Sequence, residues 1–153
     1  MDVTNYIQKD LINLNLQSRT KEEAIRELAQ LMKDTPAMGD LNRFLEDVFE
    51  RESLETTGIG DEIALPHART DAVNQLIIAI GRSKSGVECE SPDGKKVKLF
   101  FLMGTPQGSI SHYLQILAQL TRLLKHSALK EKLLETQDSE SFVALFKHPP
   151  QRG

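Results

Sequence analysis

The apolar positions of this chain change rhythm along its length. Between residues 20 and 50 they recur three and four apart: Ala24, Ile25, Leu28, Leu31 and Met32, then Leu41, Phe44, Leu45, Val48 and Phe49. Those are the stripes of two amphipathic helices. Thr20 with Glu23 three residues on forms a capping box for the first; Asp34-Thr35-Pro36 ends it, and Asp40 caps the second. A third stripe, Ile110, Tyr113, Leu114, Leu117, Leu120, Thr121 and Leu124, predicts a helix capped by Ser109 or Ser111. Shorter helices are expected over Ala128 to Leu134 and Ser139 to Phe146. Elsewhere the runs are continuous: Leu76 to Ile80 within Gln75 to Arg82, and Val97 to Met103. Unbroken apolar runs of that length suit strands covered on both faces. A short alternating strand is expected near 12–16, and another at Ile63-Ala64-Leu65, which Pro66 ends. Ser91-Pro92-Asp93-Gly94 is a turn, and Gly104-Thr105-Pro106 closes the second long strand. Amphipathic helices before and after continuous strands predict an α/β fold: a single domain with a mixed β-sheet flanked by helices on both faces. The domain is expected to occupy 1–147, with 148–153, carrying Pro149-Pro150, as a frayed tail.

Composition narrows the function classes. A length of 153 residues supports one domain with a substantial core. No basic segment leads into an apolar run at the start, and no stretch approaches the ~18 apolar residues of a membrane span, so a cytoplasmic location without membrane insertion is expected. A net charge of −3 without a Lys/Arg cluster argues against a nucleic-acid partner. Cys89 has no second cysteine to pair with and reads as a spectator thiol. His67, His112, His126 and His148 include no pair at i, i+3 or i, i+4, and no Cys or carboxylate cluster stands beside them; neither a metal nor another cofactor is expected. His126 and His148 read as a helix-end and a tail residue.

The chemistry concentrates in Thr57-Gly58-Ile59-Gly60-Asp61-Glu62-Ile63-Ala64-Leu65-Pro66-His67-Ala68-Arg69. The paired glycines are expected to make a close-approach turn. Pro66 cannot donate to a ladder and holds Leu65 extended, which puts His67 at a strand end instead of inside it. An imidazole there, with Arg69 nearby, has the chemistry of a nucleophile for an anionic group. On local chemistry alone the same residues also fit an ordinary turn.

The stretch from Thr57 to Arg69 resembles the active-site segment of the type-2 (fructose/mannitol) enzyme IIA domains of the bacterial phosphotransferase system: Thr-Gly-Ile-Gly, a short variable step, then aliphatic-Pro-His. The resemblance continues in Arg51-Glu52, in Asp93 to Leu102, and in His112-Tyr113-Leu114-Gln115-Ile116-Leu117-Ala118, which is similar to the family's His-Leu-Gln-x-Leu-Ala helix start. Glu62 stands where a small residue is usual, and Ser111 where an acidic one is common. The resemblance implies that His67 carries a phosphoryl group on Nε2 and that His112 lies beside it, donating to a phosphoryl oxygen from the first turn of a helix whose N-terminus favours an anion. Arg51 and Arg69 are the candidate phosphoryl-binding cations. A backbone carbonyl is the expected holder of the other ring nitrogen of His67, because no carboxylate is spaced for it. The implied partners are an HPr-type phosphocarrier as donor and an EIIB protein or domain as acceptor, in sugar uptake of the fructose or mannitol type. The alternative is a nitrogen-regulatory IIA that signals its phosphorylation state to partner proteins.

Overall fold

The computed structural model describes residues 2–54 and 58–150. Two 3-10 turns, Val3–Tyr6 and Lys9–Leu11, lead into β1 (Ile12–Asn13). The helices α1 (Lys21–Met32) and α2 (Leu41–Leu54) follow. Next come the short strands β2 (Gly58–Gly60), β3 (Ile63–Ala64) and β4 (His67–Arg69), then the long strands β5 (Ile77–Val87) and β6 (Val97–Thr105). Helices α3 (Ile110–Leu124), α4 (Ser127–Glu135) and α5 (Ser139–Lys147) complete the order.

The six strands form one mixed sheet in the order β1-β5-β6-β3-β2, with β4 also pairing β6. β5 and β6 are antiparallel, whereas β1 lies parallel to β5, and β3 and β4 both lie parallel to β6. Alternate residues of the central strands face opposite layers, as the two-residue period requires. Ala79, Phe100 and Leu102 join Ile25, Leu28, Phe44 and Val48 on the α1 and α2 side. Ile78, Ile80 and Phe101 join Ile116, Leu120, Leu129 and Phe142 on the α3, α4 and α5 side. The expected mixed sheet with helices on both faces is thus the architecture observed.

The caps explain where helices begin. Glu23 N–H donates to Thr20 Oγ1 at 3.2 Å, and Arg43 N–H to Asp40 Oδ1 at 3.1 Å. Ser109 holds the N-cap position of α3, but its side chain makes no cap bond. The stripe of α3 that enters the core is Tyr113, Ile116, Leu120 and Leu124; Ile110 and Leu114, expected on it, are 47% and 54% exposed. Each residue advances ~100° around a helix, so one misplaced position moves a whole face.

Two local expectations are corrected. The strand near 12–16 is confined to Ile12–Asn13. Gly58–Gly60 is a strand, not a turn: it pairs antiparallel with β3, and the reversal falls on Asp61 and Glu62 at φ 53° and 70°. The left-handed backbone at Glu62 is one that a residue without a Cβ adopts most easily. The expected strand end does fall ahead of Pro66. Its carbonyl accepts from Met103 N–H at 3.0 Å, and the chain resumes pairing at once, His67 opposite Met103 and Ala68 opposite Gly104. Thr57 lies outside the described residues, as do residues 151–153 of the expected tail.

Gly104 marks how closely the layers approach behind this strand. A Cβ there would lie 2.8 Å from Phe44 Cε1 and 3.1 Å from Val73 Cγ1, both in side chains locked in the core. Gly104→Ala is therefore expected to destabilise the fold by roughly 1–3 kcal/mol. Thermal melting reads this as a fall of ~2–4 °C for each kcal/mol in a domain of this size.

Candidate active site

Leu65-Pro66 joins β3 to β4, and the His67 imidazole turns back onto the backbone two residues before it. His67 Nδ1 lies 2.7 Å from the Leu65 carbonyl oxygen. A carbonyl only accepts, so Nδ1 carries the hydrogen and Nε2 is left with a lone pair. Onto that lone pair Tyr113 of α3 donates its hydroxyl, at 2.8 Å, with the two rings 5.4 Å apart. The ring is fixed at both ends, and a backbone carbonyl is the holder the sequence called for.

His67 is only 8% exposed. Burial pulls its pKa below the usual 6.5, because an imidazolium loses hydration there; the Leu65 bond opposes that, and Arg51 and Arg69 lower it further while Glu52 acts the other way. Tyr113 is shifted up, again chiefly by burial, with the same two arginines opposing. Both groups are held neutral: a base that keeps its lone pair and a phenol that keeps its proton.

The imidazole stands in a cleft of about 510 Å³, lined by Arg43, Asp47, Glu50, Arg51 and Leu54 of α2, by His67 to Arg69, and by Gln107, Ile110, Tyr113 and Leu114. Arg51 enters from the last turn of α2, where a helix C-terminus favours a cation. Arg69 comes from β4, with its guanidinium carbon 5.9 Å from the Tyr113 ring centroid. His67, Arg51 and Arg69 are therefore brought together as expected.

His112 is not brought into that cleft. Its Nε2 lies 2.9 Å from the Tyr6 hydroxyl, on the 3-10 turn that packs against α3, and it is absent from the cleft lining. The placement beside His67 is corrected by one residue, to Tyr113. The signal was present: with Leu114-Gln115-Ile116-Leu117-Ala118 in register with Leu-Gln-x-Leu-Ala, the position of the motif's His is Tyr113. Glu62 also lies outside the cleft, its carboxylate 3.3 Å from Lys98 Nζ and 3.7 Å from Lys130 Nζ. Sequence reasoning missed the α2 side chains Arg43, Asp47 and Glu50, which no local motif marks. No described helix is long and apolar enough to cross a membrane.

Fold and site together define an α/β domain that offers a neutral, tautomer-fixed histidine to a guanidinium-lined cleft. The family model described as "Phosphoenolpyruvate-dependent sugar phosphotransferase system, EIIA 2" matches residues 5–148, and the chain belongs to that family of phosphotransfer domains. It is 37% identical over 140 residues to the "PTS system fructose-specific EIIA component" of Haloferax volcanii, covering 92% of this chain and 91% of that one. It is 35% identical over 143 residues to the "PTS system fructose-specific EIIABC component" of Bacillus subtilis; that match takes in 94% of this chain but spans only 22% of the longer relative. Among solved structures, nitrogen regulatory protein IIA-Ntr from Neisseria meningitidis superposes with a TM-score of 0.87 at 26% identity, over 94% of this chain and 98% of that one.

The lowered pKa of His67 has a definite sign. Between its folded value and the unfolded value of 6.5, the unfolded chain binds more protons, so stability rises with pH through that window and is lost as pH falls through the folded value. An NMR titration of the His67 ring is expected to give a midpoint below 6.5. His67→Ala should show a smaller loss of melting temperature on acidification over the same range than the unaltered protein; an equal loss would contradict the assignment.

Proposed function

We propose that this chain is a phosphoryl carrier: His67 Nε2 accepts the phosphoryl group of a phosphorylated HPr-type carrier and passes it to an EIIB protein or domain, in uptake and phosphorylation of a sugar of the fructose or mannitol type. The observation that carries the reading is the 2.7 Å approach of His67 Nδ1 to the Leu65 carbonyl oxygen, which sets the tautomer. With Nδ1–H held by the Leu65 carbonyl, the nucleophilic lone pair is placed on Nε2 without any proton having to leave. The depressed pKa keeps that lone pair available at neutral pH. A phosphoryl group in transfer spreads charge over its oxygens, and Arg51 and Arg69 supply fixed positive charge where it arrives. His112 is assigned no part in transfer; its contact with Tyr6 serves to seat the N-terminal turn on α3.

Donor and acceptor proteins take turns at one cleft, so their contacts are transient and mutually exclusive. The exposed side chains Leu54, Ile110 and Leu114 around the charged floor offer the apolar area for both. The fructose-type relatives favour the sugar route. The close superposition with a nitrogen regulatory IIA supports the second reading, in which the same phosphohistidine reports to regulatory targets in a cytoplasmic signalling role.

Incubation with labelled phospho-HPr-type carrier is expected to put alkali-stable, acid-labile phosphate on the protein and none on His67→Ala; label retained by that variant would overturn the assignment. Added fructose-type EIIB should drain the label, and the carrier should compete with EIIB for binding. A charged protein that EIIB does not discharge would favour the regulatory route. Arg51→Ala and Arg69→Ala should each slow charging by roughly tenfold to a hundredfold if they stabilise the transferring group, as rapid-quench kinetics would read.

A further inference from the structure

The nitrogen proposed to take the phosphoryl group already has a partner. Tyr113 Oη lies 2.8 Å from His67 Nε2, at hydrogen-bond distance, and the imidazole is 8% exposed. Phosphorus cannot approach Nε2 while the phenol hydrogen occupies that lone pair, because in-line attack needs the lone pair itself. The phenol must therefore move off the nitrogen. Two features keep it close when it does, and a third keeps it a donor. The ring belongs to the buried stripe of α3, so its Cα and Cβ are fixed by packing. The Arg69 guanidinium carbon sits 5.9 Å from the ring centroid. The phenol is shifted further from ionisation by burial, so it stays a donor at neutral pH.

We propose that Tyr113 is a catalytic residue of the phosphoryl transfer, its hydroxyl exchanging one acceptor for another: the Nε2 lone pair in the uncharged protein, a phosphoryl oxygen during and after transfer. This rests on the reading of His67 as acceptor. In the step, the Nε2 lone pair forms the new N–P bond while the N–P bond of the donor's phosphohistidine breaks and returns its electron pair to the donor nitrogen. Nδ1 keeps its proton on the Leu65 carbonyl, and the phenol keeps its own; no proton is transferred. In the uncharged protein the bond joins two neutral groups, whereas in transfer it joins a neutral donor to an anionic oxygen, and bonds to charged acceptors are about twice as strong. The exchange therefore favours the transition state over the resting state. Arg51 and Arg69 supply charge in the same cleft; the phenol, already at hydrogen-bond distance from Nε2, links the free and charged states.

Tyr113→Phe separates this from packing, because it keeps the ring and removes the hydroxyl. Single-turnover charging from labelled phospho-HPr-type carrier, measured against carrier concentration, is expected to show a maximal rate lower by roughly tenfold to a hundredfold, with the half-saturating concentration unchanged. The His67 titration midpoint should rise in the variant, since the bond it loses stabilised the neutral ring. A maximal rate equal to or above that of the unaltered protein would overturn the proposal and leave the phenol as a cover for the lone pair. In the unaltered protein, the Tyr113 Cζ resonance should shift when His67 is charged; a resonance that does not move would overturn the proposal even if the variant failed to fold. Failure of the unaltered protein to take label would overturn the parent reading of His67 and this inference with it, whereas normal charging of both proteins would overturn this inference alone.

Discussion

The constraint on which the rest of the molecule depends is the shared edge of β6. One strand pairs along its length with β5 on one side, and on the other with two short strands end to end, β3 against Leu99 and Phe100, β4 against Met103 to Thr105. Between those two lies Leu65-Pro66, where the chain has no second N–H to give. Pro66 keeps only its carbonyl, which accepts from Met103 N–H. The break is therefore bridged without slipping register. It is also the place where a backbone carbonyl, that of Leu65, is left for the His67 ring. Sheet geometry thus fixes the tautomer of an imidazole, a link from ladder pairing to chemistry that involves no other side chain.

Burial does the second half of the work. Placing His67 against the α3 layer costs the imidazolium its hydration and keeps the ring neutral, and the same packing brings a phenol to the other nitrogen. A solvated histidine on a loop would have neither fixed nitrogen roles nor a depressed pKa. The opposite layer contributes the charge: α2 packs Phe44 and Val48 into the core and projects Arg43 and Arg51 outward into the cleft. One helix layer tunes the base, and the other supplies the field.

Much of this was legible in the chain. Helix stripes and unbroken strand runs are long patterns that average over many residues, and α1, α2, β5 and β6 appear where those patterns put them, with β5 and β6 extended by two to five residues at an end. The acceptor candidate and its backbone-carbonyl partner were also readable, because Pro66 constrains its neighbours strongly. What was not legible depends on single positions. β2 and β4 are three residues each, too short for a period to show, and exist because β6 and β3 offer unpaired edges. At the start of α3, residue type points to His112, whereas helix phase points to Tyr113. The stripe through Ile116, Leu120 and Leu124 selects residue 113, and a step of ~100° takes residue 112 to the N-terminal turn and Tyr6 instead.

The placement of the carboxylates completes the electrostatic argument. Glu62 and Glu52 both lie in segments flanking His67, and either one turned into the cleft would repel a phosphoryl group. Glu62 is held by Lys98 and Lys130, which also donates to the Asp61 carbonyl at 3.2 Å. Glu52, with a side chain only 5% exposed, lies 3.2 Å from Lys21 of α1. The carboxylates that do line the cleft, Asp47 and Glu50, face three guanidinium groups, Arg43, Arg51 and Arg69, and Asp47 is itself 3.9 Å from Arg43. Among the described residues, the lining thus holds one more cationic than anionic side chain, the cations being flat, permanently protonated groups whose fork geometry suits anionic oxygens. Such a balance suits an anionic group that enters the cleft and leaves it again, which is what the proposed carrier role would need.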